Sequence, residues 1–328
     1  MPAAMRGHRW LLLTLAAVLI AGLQVIYFSP EIIGSDLLQG LAVLVRILII
    51  SGVLVLALAN ISQLGRVVVH MSQDRWWLLE LAVVLFVGLL VLWRPDPFQR
   101  IVVFLADGIW ITVSITVISF ILILIVGLIG GMSRLARNPL IRGVSSIYVE
   151  VIRGIPLLVQ LLFLYFAFPQ VLQGVGQVLL PFWPAGGRWL VEMRLDPFWT
   201  AVAGITICYG AYMTEIFRAG IQSISKGQME AARSLGMSYG QAMRYVILPQ
   251  AIRVILPPVG NEFVTLLKDS SLVSVVAVAD MTRRGREFMA STYLSLETWS
   301  MVAMLYLIMT LFAARIVNYI EKRSAYVH

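Results

Sequence analysis

The stretch IWITVSITVISFILILIVGLIGGM, residues 109–132, contains no charged side chain. A hydrocarbon core of about 30 Å takes roughly 20 apolar residues in helical form. The apolar side chains here do not follow the strict alternation of a barrel strand, so the stretch predicts a membrane-spanning helix. Blocks of the same character recur at residues 10–28, 37–59, 76–93, 144–168, 199–221, 259–279 and 299–320. The expectation is an all-α membrane protein with about eight transmembrane helices of the length a bilayer demands.

Composition agrees. The 328 residues are 60% hydrophobic and 13% charged, with a mean hydropathy of +0.89, whereas a soluble domain is about half apolar and a quarter charged. That excludes a soluble two-domain enzyme and a disordered chain. The single cysteine, Cys208, excludes an intrachain disulfide. With His8, His70 and His328 scattered along the chain, no metal site is expected. The net charge of +8 sits mostly in short loops between apolar blocks, where it sets topology, so nucleic acid is not an expected partner and membrane lipid is.

Counting Lys and Arg, the residues Arg6, Arg9, Arg66, Arg75, Arg134, Arg137, Arg142, Lys226, Arg233, Arg244, Arg253, Lys322 and Arg323 fall on one side if eight helices alternate. Both termini are then cytoplasmic. Arg283, Arg284 and Arg286 fall on the other side and break the rule. Trp76, Trp77, Trp93, Trp183, Trp189, Trp199 and Trp299 lie at block boundaries, where amphipathic rings anchor. The first block exceeds the roughly 7–15 apolar residues of a signal peptide, so it is expected to remain as a span. Residues 173–197, with Pro181, Pro184 and Pro197, read as an outer loop with room for a short interfacial helix.

Residues 221–258 are too polar to span and too long for a turn. From Gln228 to Leu235 the pattern predicts a short helix with Met229, Ala232 and Leu235 on one side, closed by Gly236. Ser238 and Gln241 have the spacing of a capping box that opens a second helix, which carries Ala242, Tyr245 and Val246 toward one face and stops at Pro249. Two short helices across a tight turn make a rigid knob, and the small Ala231 and Ala232 let it enter a groove on another protein.

The same residues, Glu230-Ala231-Ala232, then Gly236, Val246 and Leu248-Pro249, resemble the EAA signature of ABC importer permeases, with Val246 where the pattern usually has Ile. Arg153-Gly154-Ile155-Pro156-Leu157-Leu158-Val159-Gln160, Glu215-Ile216-Phe217-Arg218-Ala219-Gly220-Ile221, Leu248-Pro249-Gln250-Ala251 and Leu266-Leu267-Lys268-Asp269-Ser270-Ser271-Leu272-Val273-Ser274 resemble the polar amino-acid subfamily, the histidine, glutamine, glutamate and arginine permeases. The resemblance covers residues 109–323. It implies a five-helix permease core at 107–328, with cytoplasmic coupling helices at about 228–248, preceded by an extension at 1–106 with three further helices. Glu230, Ala231, Ala232, Gly236, Leu248 and Pro249 would dock on a separate ATPase. The implied assembly has a second permease subunit, identical or related, two copies of the ATPase, and an extracytoplasmic amino-acid-binding protein, in a bacterial inner membrane. No G-x-x-x-x-G-K-[ST] phosphate loop occurs in the chain, so it is not expected to be an enzyme or to bind a cofactor; ATP and Mg belong to the partner.

Ionisable groups inside spans cost about 2.5–3.5 kcal/mol at mid-helix and face protein or water. Glu262, Lys268 and Asp269 lie in the seventh block, with Glu262 and Asp269 on one face. Together with Tyr209 and Tyr212 they are candidates either to line a path for a zwitterionic substrate or to hold the bundle together. Glu215 and Arg218 have pairing spacing, and Arg153 reads as an inner-rim anchor. Arg46 lies in mid-block, while Glu80 is close enough to an end to snorkel. Gly127 and Gly131 permit close helix approach. The alternative to an importer subunit is an ATP-independent secondary transporter or channel using Glu262 and Asp269 for ion coupling, which would show inverted repeats or broken helices in matching halves; the sequence shows neither. A membrane scaffold whose knob binds some other protein is a further alternative.

Overall fold

The computed structural model describes residues 77–93 and 95–325. The expected spans at 10–28 and 37–59, and Arg46, lie outside them. The described residues form helices α1 (Trp77–Trp93), α2 (Pro95–Arg134), α3 (Pro139–Gly154), α4 (Leu157–Leu179), α5 (Pro184–Glu192), α6 (Pro197–Gln222), α7 (Lys226–Ser234), α8 (239–269), α9 (Met281–Thr292) and α10 (Ser295–Ala325). Three stretches among them are long and apolar enough to cross a membrane: Asp96–Arg134, Leu157–Leu179 and Ser295–Arg323. The family boundary expected near residue 106 falls inside α2.

α6 is long enough too, but it is more polar because it is the central helix. Thr200, Ile205, Thr206, Cys208, Tyr209, Met213 and Thr214 are all buried on it, and of these Ile205, Cys208, Tyr209 and Met213 join Ile115 and Ile123 of α2, Leu161 of α4 and Ile255 and Leu266 of α8 in one core. A helix surrounded by other helices needs no lipid-facing hydropathy.

The seam between α2 and α6 depends on glycine. A Cβ at Gly127 would lie 2.4 Å from the Met213 side chain, and one at Gly130 would lie 2.2 Å from the Thr214 hydroxyl oxygen. The expected small-residue step therefore exists, with Gly130 added to it. Gly127 faces Met213 and Gly131 faces Phe217, so the two helices run in the same direction. On α8 the order reverses: Ile255 meets Gly220, and Asp269 meets Tyr209. α8 therefore returns antiparallel to α6.

The single span expected at 144–168 is corrected. The chain breaks after Gly154: Ile155 is extended (φ −111°, ψ 130°), because Pro156 drives its predecessor out of helical geometry. The span is instead α4, and α3 packs beside α2 and α6 through Ser145 to the Gly130 carbonyl (3.0 Å) and the Tyr148 hydroxyl to the Ile207 carbonyl (2.7 Å). Gln160 closes the break by donating to the carbonyls of Ile152 and Ile155, each at 2.8 Å.

The block expected at 259–279 is also shifted. α8 ends at Asp269, followed by a 3-10 run, Ser270–Val276, and a left-handed turn at Ala277 (φ 64°). In the segment expected as an outer loop, α4 continues to Leu179 and α5 folds back against it, as a short helix there would. Arg283, Arg284 and Arg286 sit on α9, outside the long spans. Arg283 pairs with Glu287 at 2.9 Å, Arg284 with Glu287 at 3.2 Å, and Arg286 donates to Ser274 at 3.0 Å. Local pairing accounts for charges that loop counting could not.

Candidate functional site

The knob forms as its local chemistry dictates. α7 closes in a two-bond cap: the Met237 N–H donates to the Ala232 carbonyl (3.2 Å) and the Gly236 N–H to the Arg233 carbonyl (3.0 Å). Gly236 takes φ 84° with nothing near its Cα side, a conformation glycine adopts without penalty. The Ser238 hydroxyl then accepts from the Gln241 N–H (3.3 Å), while the Gln241 side chain accepts from the Ser238 N–H (2.8 Å). Both halves of the capping box are present.

Ala232, Ala242 and Ile247 are buried at the seam of the knob, and Glu230, Ala231 and Gly236 lie on its exposed side. Leu235 and Tyr245, expected on the same side as Ala232 and Ala242, are instead exposed, at 81% and 65%. Leu235 is the capping residue of α7, so its side chain leaves the helical stripe. Tyr239 is exposed as well, giving the knob an uncovered apolar and aromatic rim.

Pro249 does not stop the second helix. Residues Met243–Ile247 form a π-helical turn in which the Leu248 N–H donates to the Met243 carbonyl, so the helix takes up one extra residue just before proline and continues as α8. The Gln250 side chain donates to the Val246 carbonyl at 2.8 Å. The same device occurs in α4: a π turn at Phe163–Ala167 precedes Pro169, and Gln170 donates to the Phe166 carbonyl at 3.0 Å. A proline that removes one donor and crowds a carbonyl is accommodated twice by the same chemistry. As a result the second helix of the knob runs on into α8 as one helix from Tyr239 to Asp269, with Pro257 and Pro258 inside it.

Toward the C-terminal end of α6, Glu215 binds two cations. Its carboxylate accepts from Arg134 of α2 at 2.6 Å and from Arg218 at 3.0 Å, and Arg218 also reaches Gln222. The Glu215–Arg218 pair was legible from spacing. Arg134 was not, because it comes from another helix.

A second polar cluster lies deeper. The Tyr209 hydroxyl donates to the Asp269 carboxylate at 2.7 Å, and the Tyr209 and Tyr212 rings lie 6.1 Å apart. The Arg153 guanidinium sits over the Tyr212 ring at 4.9 Å, a cation–π distance. Glu262 stands two turns before Asp269 on the same face of α8. Arg153 thus joins the cluster rather than serving only as a rim anchor, whereas Lys268 is exposed and turned away. Consecutive helical positions differ by about 100°, so Lys268 cannot share the face of Asp269. Glu80, at an end of α1, pairs with Arg315 of α10.

A helical membrane protein carrying an exposed helix–turn–helix knob whose second helix continues into α8 is the class these features define. A family model described as "Binding-protein-dependent transport system inner membrane component" matches residues 123–326, and the chain belongs to that family. It is 40% identical over 200 residues to the glutamine transport system permease protein GlnP of Escherichia coli (strain K12), covering 61% of this chain and 83% of that one. It is 34% identical over 200 residues to the arginine transport system permease protein ArtQ of Bacillus subtilis (strain 168), with the same coverage. Among solved structures, an amino acid ABC transporter with histidines shares 38% identity at a TM-score of 0.57, covering 67% of this chain and 94% of that one. The MetNI methionine ABC transporter, at 20% identity and a TM-score of 0.52 over 67% of this chain and 95% of that one, shares the fold.

Proposed function

We propose that this chain is the permease subunit of an ATP-driven importer of polar amino acids. Residues 107–328 form its core and 1–106 an added N-terminal part. The knob at 228–248 is its coupling element, and both termini lie in the cytoplasm. Two such subunits, identical or related, enclose the path; two copies of a separate ATPase hold Mg–ATP and grip the knobs, and an extracytoplasmic binding protein delivers the amino acid. The relatives named for glutamine and arginine transport support the substrate class.

The observation that carries the reading is the continuity of the knob's second helix with α8. A load applied at Glu230, Ala231, Leu235 and Tyr239 meets the capped turn at Gly236. It then passes through Leu248-Pro249 into α8, whose far end holds Asp269 against Tyr209. Glu215, clamped between Arg134 and Arg218, ties α2 to the C-terminal part of α6. If the knob is held differently in the two states of the ATPase, that difference biases the permease between its own two states. Tyr209, Tyr212, Glu262 and Asp269, with Arg153, provide the charges a zwitterion needs: a guanidinium for its carboxylate and carboxylates for its ammonium. Lys268 has no part in that face.

The test is purification with the neighbouring subunits. The native chain should retain an ATPase and drive ATP-dependent uptake of an amino acid in proteoliposomes. Glu230→Arg should lose both while inserting normally. Uptake that proceeds without any ATPase would refute the proposal.

A further inference from the structure

Helix α1 lies outside the family match, and its sequence does not show which way it faces. Trp77–Trp93 carries one ionisable side chain, Glu80, among residues that are otherwise apolar or glycine. Burial resolves the face. Glu80, Val83, Val87 and Leu90 are shielded at helical spacing, whereas Val84, Leu85, Leu89 and Leu92 are exposed. The Glu80 side chain keeps only 12% exposure and pairs with Arg315, which stands in the apolar stretch of α10.

Apolar packing alone cannot fix the rotation of such a helix, because lipid is as good a neighbour for leucine as another helix is. A carboxylate shielded to 12% exposure against a guanidinium that keeps 46% can, since the shielded carboxylate is costly unless it meets a cation. We infer that Glu80 and Arg315 form an ionic lock that docks α1 on α10 in one rotational setting, making this helix of the N-terminal extension an integral wall of the permease rather than a loose tether. The lock acts through a contact far in sequence from the lever, and it holds whether or not the importer reading does.

The test uses the full-length chain in three forms: Glu80→Arg, Arg315→Glu, and both together. Each is examined by thermal unfolding in detergent and by oxygen accessibility of a nitroxide placed at position 83 or, as the outward-facing control, at position 85. Each single variant should unfold at lower temperature and expose position 83, with position 85 unchanged. The exchanged pair should recover at least half of the lost thermal shift and shield position 83 again. If a single variant fails to fold, recovery in the exchanged pair still supports the lock. Single variants as stable and as shielded as the native chain, or an exchanged pair no better than its parents, would overturn it.

Discussion

The Tyr209 hydroxyl of α6 donates to the Asp269 carboxylate at the last residue of α8, at 2.7 Å. One hydrogen bond thus joins the central helix to the end of the helix that begins in the knob. A hydrogen bond to a charged group contributes about 1.5–3 kcal/mol. Tyr209→Phe should therefore lower thermal stability by an amount of that order and slow uptake, while Tyr212→Phe, whose ring carries the Arg153 contact without its hydroxyl, should change stability little. Differential scanning measurements on the two variants make the comparison.

Gly236 is the one described glycine with positive φ. Gly236→Val places a β-branched residue in a left-handed conformation at a cost on the order of 1–3 kcal/mol. Membrane insertion and the packed core should survive, because the strain is confined to an exposed turn remote from that core. Uptake per ATP hydrolysed should fall, and the ratio of the two rates in proteoliposomes reads the effect directly.

Gly130→Leu drives a branched side chain into Thr214 across the α2–α6 seam. Backbone separation there must increase, and overpacking of this kind costs at least about 1–3 kcal/mol. The expected outcome is a loss of folded protein in detergent size-exclusion profiles, while Gly143→Leu, where a Cβ meets nothing within 4 Å, leaves the profile unchanged.

Glu215→Ala leaves Arg134 and Arg218 facing each other without their shared carboxylate. Removing one partner of a shielded ion pair costs about 3–5 kcal/mol when fully buried and less where, as here, water reaches the edge. Glu215→Ala combined with Arg134→Ala should be more stable than Glu215→Ala alone, a sign that thermal denaturation of the two variants would reveal.

On α9, the Arg283 side chain hydrogen-bonds Glu287 and, with Arg284, holds its carboxyl below the usual range. A depressed carboxyl stabilises the folded state above its unfolded pKa, and that contribution is lost as pH falls through the lower, folded value. Attachment of α9 should therefore weaken on acidification below the ordinary carboxylate range, modestly because the group is partly exposed. Hydrogen exchange of residues 281–292 should show that acid limb in the native chain and lack it in Glu287→Gln.

What the sequence disclosed was what depends on near neighbours. Gly236, the Ser238–Gln241 box and the Glu215–Arg218 pair are set within one or two helical turns, and each stands where its spacing placed it. Pro249 was misjudged because a proline ends a helix only if the preceding turn stays α-helical; the π turn at Met243–Ile247 and the Gln250 side chain remove that condition. The break at Gly154-Ile155-Pro156 had a local signal, but it was submerged in an apolar block read for length alone. Arg134 with Glu215, Arg153 with Tyr212 and Glu80 with Arg315 each join helices distant in sequence, and no periodicity within one helix encodes its partner on another.

The account turns on the lever being held by an ATP-hydrolysing partner. With Cys208 buried and the only native cysteine, Glu230→Cys supplies a nearly unique reactive thiol for site-specific cross-linking in native membranes. A cross-linked adduct with a nucleotide-binding polypeptide, whose yield changes when ATP is bound, is the predicted result. Full ATP-dependent uptake with no adduct from position 230 or from the neighbouring Ala231→Cys variant would contradict it.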